Sequence, residues 1–564
     1  MTLPIQPAAA RPAGHAPGSG LLQDPGQFID VFLGGFRRDL LSFYPGCRLD
    51  REPALLLAGG AVAAPRIAEH GELSLDFAIE EAGDGPADSL RVSFFGGHYR
   101  ITLPPHRSFW ARDREFIRAM GRVIDLYFRA LFRSSEISLL QLRRGMPEDH
   151  YVAASVDPAP YASPSPTPGR IAEAILTLRT MALSTYENRR VATGALILAS
   201  GMPCPRRPTG GPSQEALRFG VEITALRSLH RLCDGRRTLY LVDDRGFLID
   251  VVDIRRWAVE EALAGGDRPL RLAGGPAAGS PQEPAGDVEA PAHEPLLPVP
   301  CPRAYRYHAL ATRDTGHICL VLSPNQEIKV LAGGVQAFVF AHGRWRVQDP
   351  AGSFAGWSRA VDNPALARTL FQAALDLAEE RQGGLLVVVH DPAQAVGRLI
   401  AVQDLLDDHP ARGGDDLQDE AESPSRPFTL FGWTGEQDAE PADVQRPKRA
   451  GSPGPGGPLS KRSIHYLAQD ANVVALDPAV LRALASIDGA LVADASGRLL
   501  AFGAILRHDA CGVEGEDGGD ATPAVAEGAR TTAAIVASRF GPVLKVSEDG
   551  IISCYLDGAR VWDL

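Results

Sequence analysis

The sequence predicts an α/β, multidomain protein, and three observations carry that reading. Its 564 residues exceed one ordinary core and imply about three to four domains. Stretches with helical apolar spacing alternate with short strand-like runs along most of the chain. One run, Gly383-Gly384-Leu385-Leu386-Val387-Val388-Val389-His390, follows the amphipathic helix Ala365 to Glu380. A continuous Leu/Val run of this kind is what a strand buried on both faces requires.

Taken in order, residues 1–24 are Pro/Ala-rich and read as a disordered tail lacking the basic start and apolar centre of a signal peptide. An α+β module over 25–156 has helices at Phe28 to Phe43 and Ala111 to Phe132 and strands at Leu73 to Ile79 and Leu90 to Phe95. Asp157 to Pro168 is Pro/Ser-rich and reads as a solvated spacer. A second α/β module, 169–271, opens with the helix Ile171 to Leu183 and the strand Gly194 to Ala199. It closes with strands flanking Asp243-Asp244-Arg245-Gly246, where two acidic residues entering a turn are turn chemistry rather than metal ligands.

A Gly/Pro/Ala-rich linker, 272–301, precedes a β-rich segment, 302–360, with strands at Cys319 to Leu322, Gln326 to Ala332 and Val335 to Phe340. The last domain comprises 361–407 and 463–564, interrupted by a low-complexity insertion at 408–462. After it come a helix capped by Asp477, a strand Gly489 to Ala493, a turn at Asp494 to Gly497 and a strand Leu499 to Leu506.

Composition excludes several function classes. Hydrophobic residues are 45% and charged residues 22% of the chain, as in ordinary globular proteins. A net charge of -12 argues against broad nucleic-acid binding, which needs a basic face to displace counterions. No apolar run approaches the ~20 residues that span a bilayer, so a cytoplasmic protein without membrane contact is expected. The seven cysteines are scattered and never form a C-x-x-C pair, which points to buried or surface thiols. His98, Trp110 and Trp345 read as packing residues, and no P-loop, zinc finger or dinucleotide fingerprint occurs.

Three short motifs stand out near the end: Ile487-Asp488-Gly489-Ala490, Glu527-Gly528-Ala529-Arg530-Thr531-Thr532-Ala533-Ala534 and Val546-Ser547-Glu548-Asp549-Gly550. Taken singly, Asp-Gly is a common turn and Ser-Glu-Asp-Gly a plain hairpin. In this order, and after the helix and buried strand of 365–390, they resemble the nucleotide-binding core of diadenylate cyclases. That family reads Asp-Gly-Ala, Gly-Thr-Arg-His-Arg-Ala-Ala and Val-Ser-Glu-Glu. The resemblance covers about a quarter of the chain and implies a mixed-sheet domain preceded by sensor-like modules.

It implies that Asp488 is catalytic and, with Glu548, associated with Mg²⁺ or Mn²⁺. Gly489, Ala490, Leu506, Gly528, Arg530, Thr531, Thr532 and Ser547 would contact ATP or a cyclic dinucleotide. Catalysis in the family takes place between two domains face to face, so a homo-oligomer is implied. The chain departs from the family at Arg530-Thr531-Thr532, which lacks the His and second Arg of the phosphate clamp. Each lost charge-assisted hydrogen bond forfeits roughly 1.5–3 kcal/mol unless Arg507, Arg539 or Lys545 compensates. Two functions therefore remain open, a cyclase forming cyclic di-AMP and an inactive nucleotide receptor.

Overall fold

The computed structural model describes residues 25–52, 75–80, 87–104, 107–132, 145–162, 169–186, 189–201, 217–264, 297–406, 461–507 and 528–564. The tail over 1–24, most of the 272–301 linker and almost all of the 408–462 insertion lie outside these residues. The chain divides into two compact units, Met1–Gly352 and Ser353–Leu564. Among the described residues helices combine with antiparallel and mixed sheets in the first unit and with one mixed sheet in the second, as expected of an α/β protein. Among the described residues no helix is long and apolar enough to cross a membrane.

The first unit begins with α1 (Pro25–Phe43) and the strands β1 (Arg48–Arg51), β2 (Ala78–Ile79), β3 (Ser89–Phe94) and β4 (Gly97–Thr102). These strands form a four-stranded antiparallel sheet in the order β1-β4-β3-β2. The expected strand Leu73 to Ile79 shrinks to β2, and its first two residues fall outside the described ones. Helix α2 (Ala111–Phe132) has the predicted bounds, and Asp113 in its first turn accepts the Trp110 N–H at 2.8 Å. Helices α3 (Pro147–Val156) and α4 (Arg170–Ala182) complete the front layer.

Within the Asp157 to Pro168 stretch, Asp157 and Tyr161 are buried rather than solvated, while Pro158, Ala159 and Ala162 are exposed as expected. Asp157 is buried and accepts from Arg170 Nε at 2.9 Å, and Tyr161 is buried beside His150. A charge removed from water needs a partner, which Arg170 provides.

Seven strands form the second sheet: β5 (Thr193–Ile197), β6 (Thr238–Val242), β7 (Leu248–Asp253), β8 (Ile318–Leu322), β9 (Ile328–Ala332), β10 (Val335–Ala341) and β11 (Arg344–Val347). Their order is β11-β10-β9-β8-β5-β6-β7, with β5 and β6 parallel and the other pairs antiparallel. Residues 169–271 and 302–360, which composition separates at a linker, thus share one sheet. Helix α4 covers one face, while α5 (Ile254–Ala264) and α6 (Arg306–Thr312) pack in the cluster on the other. Trp345 is buried and its indole N–H donates to Asp149 at 2.8 Å.

Helix α7 (Pro350–Val361) leads into the second unit, which continues with α8 (Pro364–Glu379), β12 (Gly384–Val389), α9 (Pro478–Ala485), β13 (Ala490–Asp494), β14 (Leu499–Ala504), α10 (Ala529–Ala537), β15 (Val543–Val546), β16 (Ile552–Leu556) and β17 (Ala559–Asp563). The sheet order is β14-β13-β12-β15-β16-β17. Its central strand β12 runs parallel to β13 and antiparallel to β15, and every residue of β12 is buried, as its Leu/Val run demands. The Asp477 carboxylate caps α9 by accepting the N–H groups of Ala479 and Val480. Helices α8 and α9 pack on one face of the sheet and α10 on the other.

Candidate functional site

Sheet register brings the three motifs to one edge. Strands β12 and β13 run parallel, so the residues just before them, Gly383 and Asp488, lie at the same end of the sheet. Strand β15 runs the other way and pairs Val546 with Gly384, so the turn after it, Ser547 to Gly550, returns to that end. The start of α10 is tied to β15 by Lys545 Nζ, which donates to Thr531 Oγ1 at 2.7 Å.

Arg530, in the first turn of α10, joins these pieces. Its Nη2 stands 3.4 Å from Asp488 Oδ1 and its Nη1 3.6 Å from Glu548 Oε1. One guanidinium thus spans two carboxylates separated by 60 residues of sequence, a fork geometry that Arg provides and Lys does not. The carboxylates are open to solvent, 96% exposed for Asp488 and 78% for Glu548, while Arg530 is 37% exposed. Exposure makes the pairing weak, so it is easily exchanged for a ligand.

Gly383 forms the floor. A Cβ on Gly383 would stand 2.1 Å from Arg530 Nη1 and 3.5 Å from Glu548 Cγ, so only glycine leaves room for the guanidinium. Gly489 has φ +116°, and a Cβ there would meet the Gly503 carbonyl carbon at 2.4 Å. Asp488 is therefore presented by a turn that only glycine can make. Ala490 is buried as the first residue of β13.

The other expected residues fall into two groups. Gly528 precedes α10 with open space around it, and Thr532 is exposed one position beyond the buried Thr531. These two and the α10 amides face the anion-favouring end of the helix dipole. The Ser547 hydroxyl is engaged within its own turn, donating to Asp549 Oδ1 and to the Ile551 carbonyl. The Ser547–Gly550 segment is indeed the hairpin between β15 and β16. Leu506 is buried with Leu399 and Ala534, which makes it a packing residue; its neighbour Ile505 is 71% exposed.

Of the three basic residues named as substitutes for the missing clamp, Lys545 is the one that reaches the first turn of α10. Arg507 donates to the Gly397 carbonyl at 2.9 Å, and Arg539 lies beyond the opposite end of α10. Among the described residues no group of three or more His, Cys, Asp or Glu side chains is placed to hold a metal. Two carboxylates at one edge nevertheless suit a cation that brings most of its own ligands. Mg²⁺ binds in that way, through one or two carboxylates plus substrate phosphates and waters.

Sequence reasoning missed Gly383, which reads as an ordinary turn before a buried strand. Gly384 beside it is also tightly packed, since a Cβ there would meet the Ala485 carbonyl oxygen at 2.9 Å. No family model, curated protein or solved structure matches the chain.

Proposed function

We propose that the second unit binds ATP with Mg²⁺ or Mn²⁺ at Asp488, Arg530 and Glu548 and joins two ATP molecules into cyclic di-AMP. The observation that carries this reading is the meeting of three sequence-distant motif residues, two acids and one Arg, at a single sheet edge. The chemistry asks for an acid at the nucleophile and a cation at the phosphates. Asp488 would polarise a ribose 3'-hydroxyl, whose oxygen attacks the α-phosphorus of the second nucleotide as pyrophosphate leaves; a reciprocal step closes the ring. The divalent cation would neutralise phosphate charge, and Arg530, freed from the carboxylates, would swing to the phosphates. Two sites must face each other, which makes a homo-oligomer part of the proposal. The residues before the second unit would control it.

One observation favours a receptor instead. Thr531 is buried and held by Lys545, and so is not free to replace a lost phosphate donor. A site with Arg530 as its main clamp would bind nucleotide but turn it over slowly or not at all. Incubating the full-length protein with ATP and Mn²⁺ or Mg²⁺, with mass spectrometry of the products, decides between them. Cyclic di-AMP that disappears in Asp488→Asn is the expected result. Product unchanged in that variant would refute the assignment, and ATP binding without product would establish the receptor.

A further inference from the structure

We infer that residues 169–347 are a second copy of the fold formed by residues 363–564, with the acid–arginine site overwritten, so that each chain holds one such site and not two. The ligand part of this inference rests on the proposed function; the repeat does not.

The strand orders already coincide. Reading from the parallel pair outward, β7-β6-β5-β8-β9-β10 matches β14-β13-β12-β15-β16-β17 in order and in every direction of pairing. Each copy has its first helix, α4 or α8, on one face and the short helix before the fourth strand, α6 or α10, on the other.

Register carries the match to single residues. Thr193 pairs with Leu322 as Gly384 pairs with Val546, and Ala195 pairs with Tyr240 as Leu386 pairs with Leu491. The irregularity between β9 and β10 falls at Val330/Leu331, and that between β16 and β17 at the matching Cys554/Tyr555. A second falls at Leu241/Val242 and at the matching Val492/Ala493, while the shift at Ala490/Val492 is particular to the second copy. Shared bulges are not required by a shared sheet order, since each is a local insertion that bends one strand.

The turns agree in the bonds that close them. Asp243 Oδ1 accepts the N–H groups of Arg245 and Phe247, as Asp494 Oδ1 accepts those of Ser496 and Arg498. The Ser323 N–H donates to the Glu327 carbonyl and the Gln326 N–H to the Ser323 carbonyl. The Ser547 N–H donates to Ile551 and the Gly550 N–H to Ser547 in the same way. Gln326 holds φ +64° where the second copy has Gly550 at +79°.

This correspondence shows what became of the site. Counting along the matched strands, Arg237 stands where Asp488 is and Pro324 where Glu548 is. Ala192 takes the place of Gly383, so its methyl fills the volume that the Arg530 guanidinium uses. Arg237 is instead paired with Asp253, Nε to Oδ2 at 2.9 Å. With an arginine and a proline in place of the two carboxylates, neither matched position offers a ligand to a divalent cation.

Two measurements on the full chain test this. Exchanging the turn Pro324-Asn325-Gln326 for Glu-Asp-Gly, the residues of 548–550, should leave the first unit's unfolding midpoint within about 3 °C of wild type. Inserting one glycine after Asn325 should abolish that transition by slipping the register. An exchange as damaging as the insertion would overturn the repeat. Counting bound Mn²⁺ by electron paramagnetic resonance with saturating ATP should give one ion per chain and none in Asp488→Asn. Two ions per chain, or one that persists in Asp488→Asn/Glu548→Gln, would overturn the overwritten site. No bound ion in the wild type would refute the proposed nucleotide site alone, since the turn exchange still judges the repeat.

Discussion

Arg530 reaches both carboxylates because Gly383 has no side chain. Gly383→Ala puts a methyl group against the tip of a flexible side chain, so the guanidinium can move away at little cost to the fold. The expected outcome is an unfolding free energy within about 1 kcal/mol of wild type but ATP affinity at least ~10-fold weaker, which corresponds to about 1.4 kcal/mol. Calorimetric titration of the variant with ATP and Mn²⁺ measures this. Unchanged affinity would remove Arg530 from the nucleotide site. Asp488, Arg530 and Glu548 were legible as motif residues because each stands in a short local pattern. Gly383 was not, since its role is defined by an arginine almost 150 positions away. Leu506 is buried two residues beyond the end of β14, and that burial is not written in the local sequence.

At the scale of elements, the turn into β13 is the most constrained piece of the site. Gly489 combines a backbone angle reserved for glycine with contact against the Gly503 backbone, which cannot step aside as a side chain can. Gly489→Ala should therefore destabilise the second unit by about 2–5 kcal/mol. Chemical denaturation followed by circular dichroism would detect it, and a loss below 1 kcal/mol would show that β13 can shift. Helices α2, α4 and α8 and strand β12 were predicted to within a residue or two, whereas α1 begins three residues earlier than expected and α5 and α7 were not expected. Apolar periodicity reports burial directly wherever an element is long enough to repeat, as in α2, α8 and β12. Two-residue β2 has no period to detect, and the loop at Asp157 looked solvated because Pro and Ser dominate it. Its burial follows from Arg170, a partner on the next helix.

For the molecule as a whole, pH is expected to act on the first unit through two buried imidazoles. Burial pushes the His308 and His317 pKa values down to about 4. His308 is bonded through Nε2 to the Gly235 carbonyl, and His317 accepts the Ala199 N–H through Nδ1. An unfolded histidine takes up its proton near pH 6.5. Stability from each neutral ring is thus complete above that pH and is lost between about pH 6.5 and 4, by on the order of 3 kcal/mol per ring. Asp113 works in the opposite sense. Its pKa is raised to about 6 by burial, so its contribution is recovered as the pH falls toward 4. Comparing variants isolates the histidines: His308→Gln/His317→Gln should lose less stability than wild type between pH 7 and 4.5. Parallel denaturation curves for the two proteins would assign the proton uptake to other groups.

By itself the sequence determined many of the segments that become helix and strand, that the chain is α/β, and that Asp488, Arg530 and Glu548 each stand in a short motif. Those properties are written locally, in apolar period, capping residues and short motifs. Tertiary structure decided that strands from 169–271 and 302–360 close one sheet, that Gly383 underlies Arg530, and that six strands of the seven-stranded sheet share their order and pairing with the six-stranded one. The reason is physical: strand pairing is chosen by backbone hydrogen bonds and burial between segments far apart in the chain. Two copies can therefore keep the same register after their side chains, Arg237 for Asp488 and Pro324 for Glu548, have ceased to look alike.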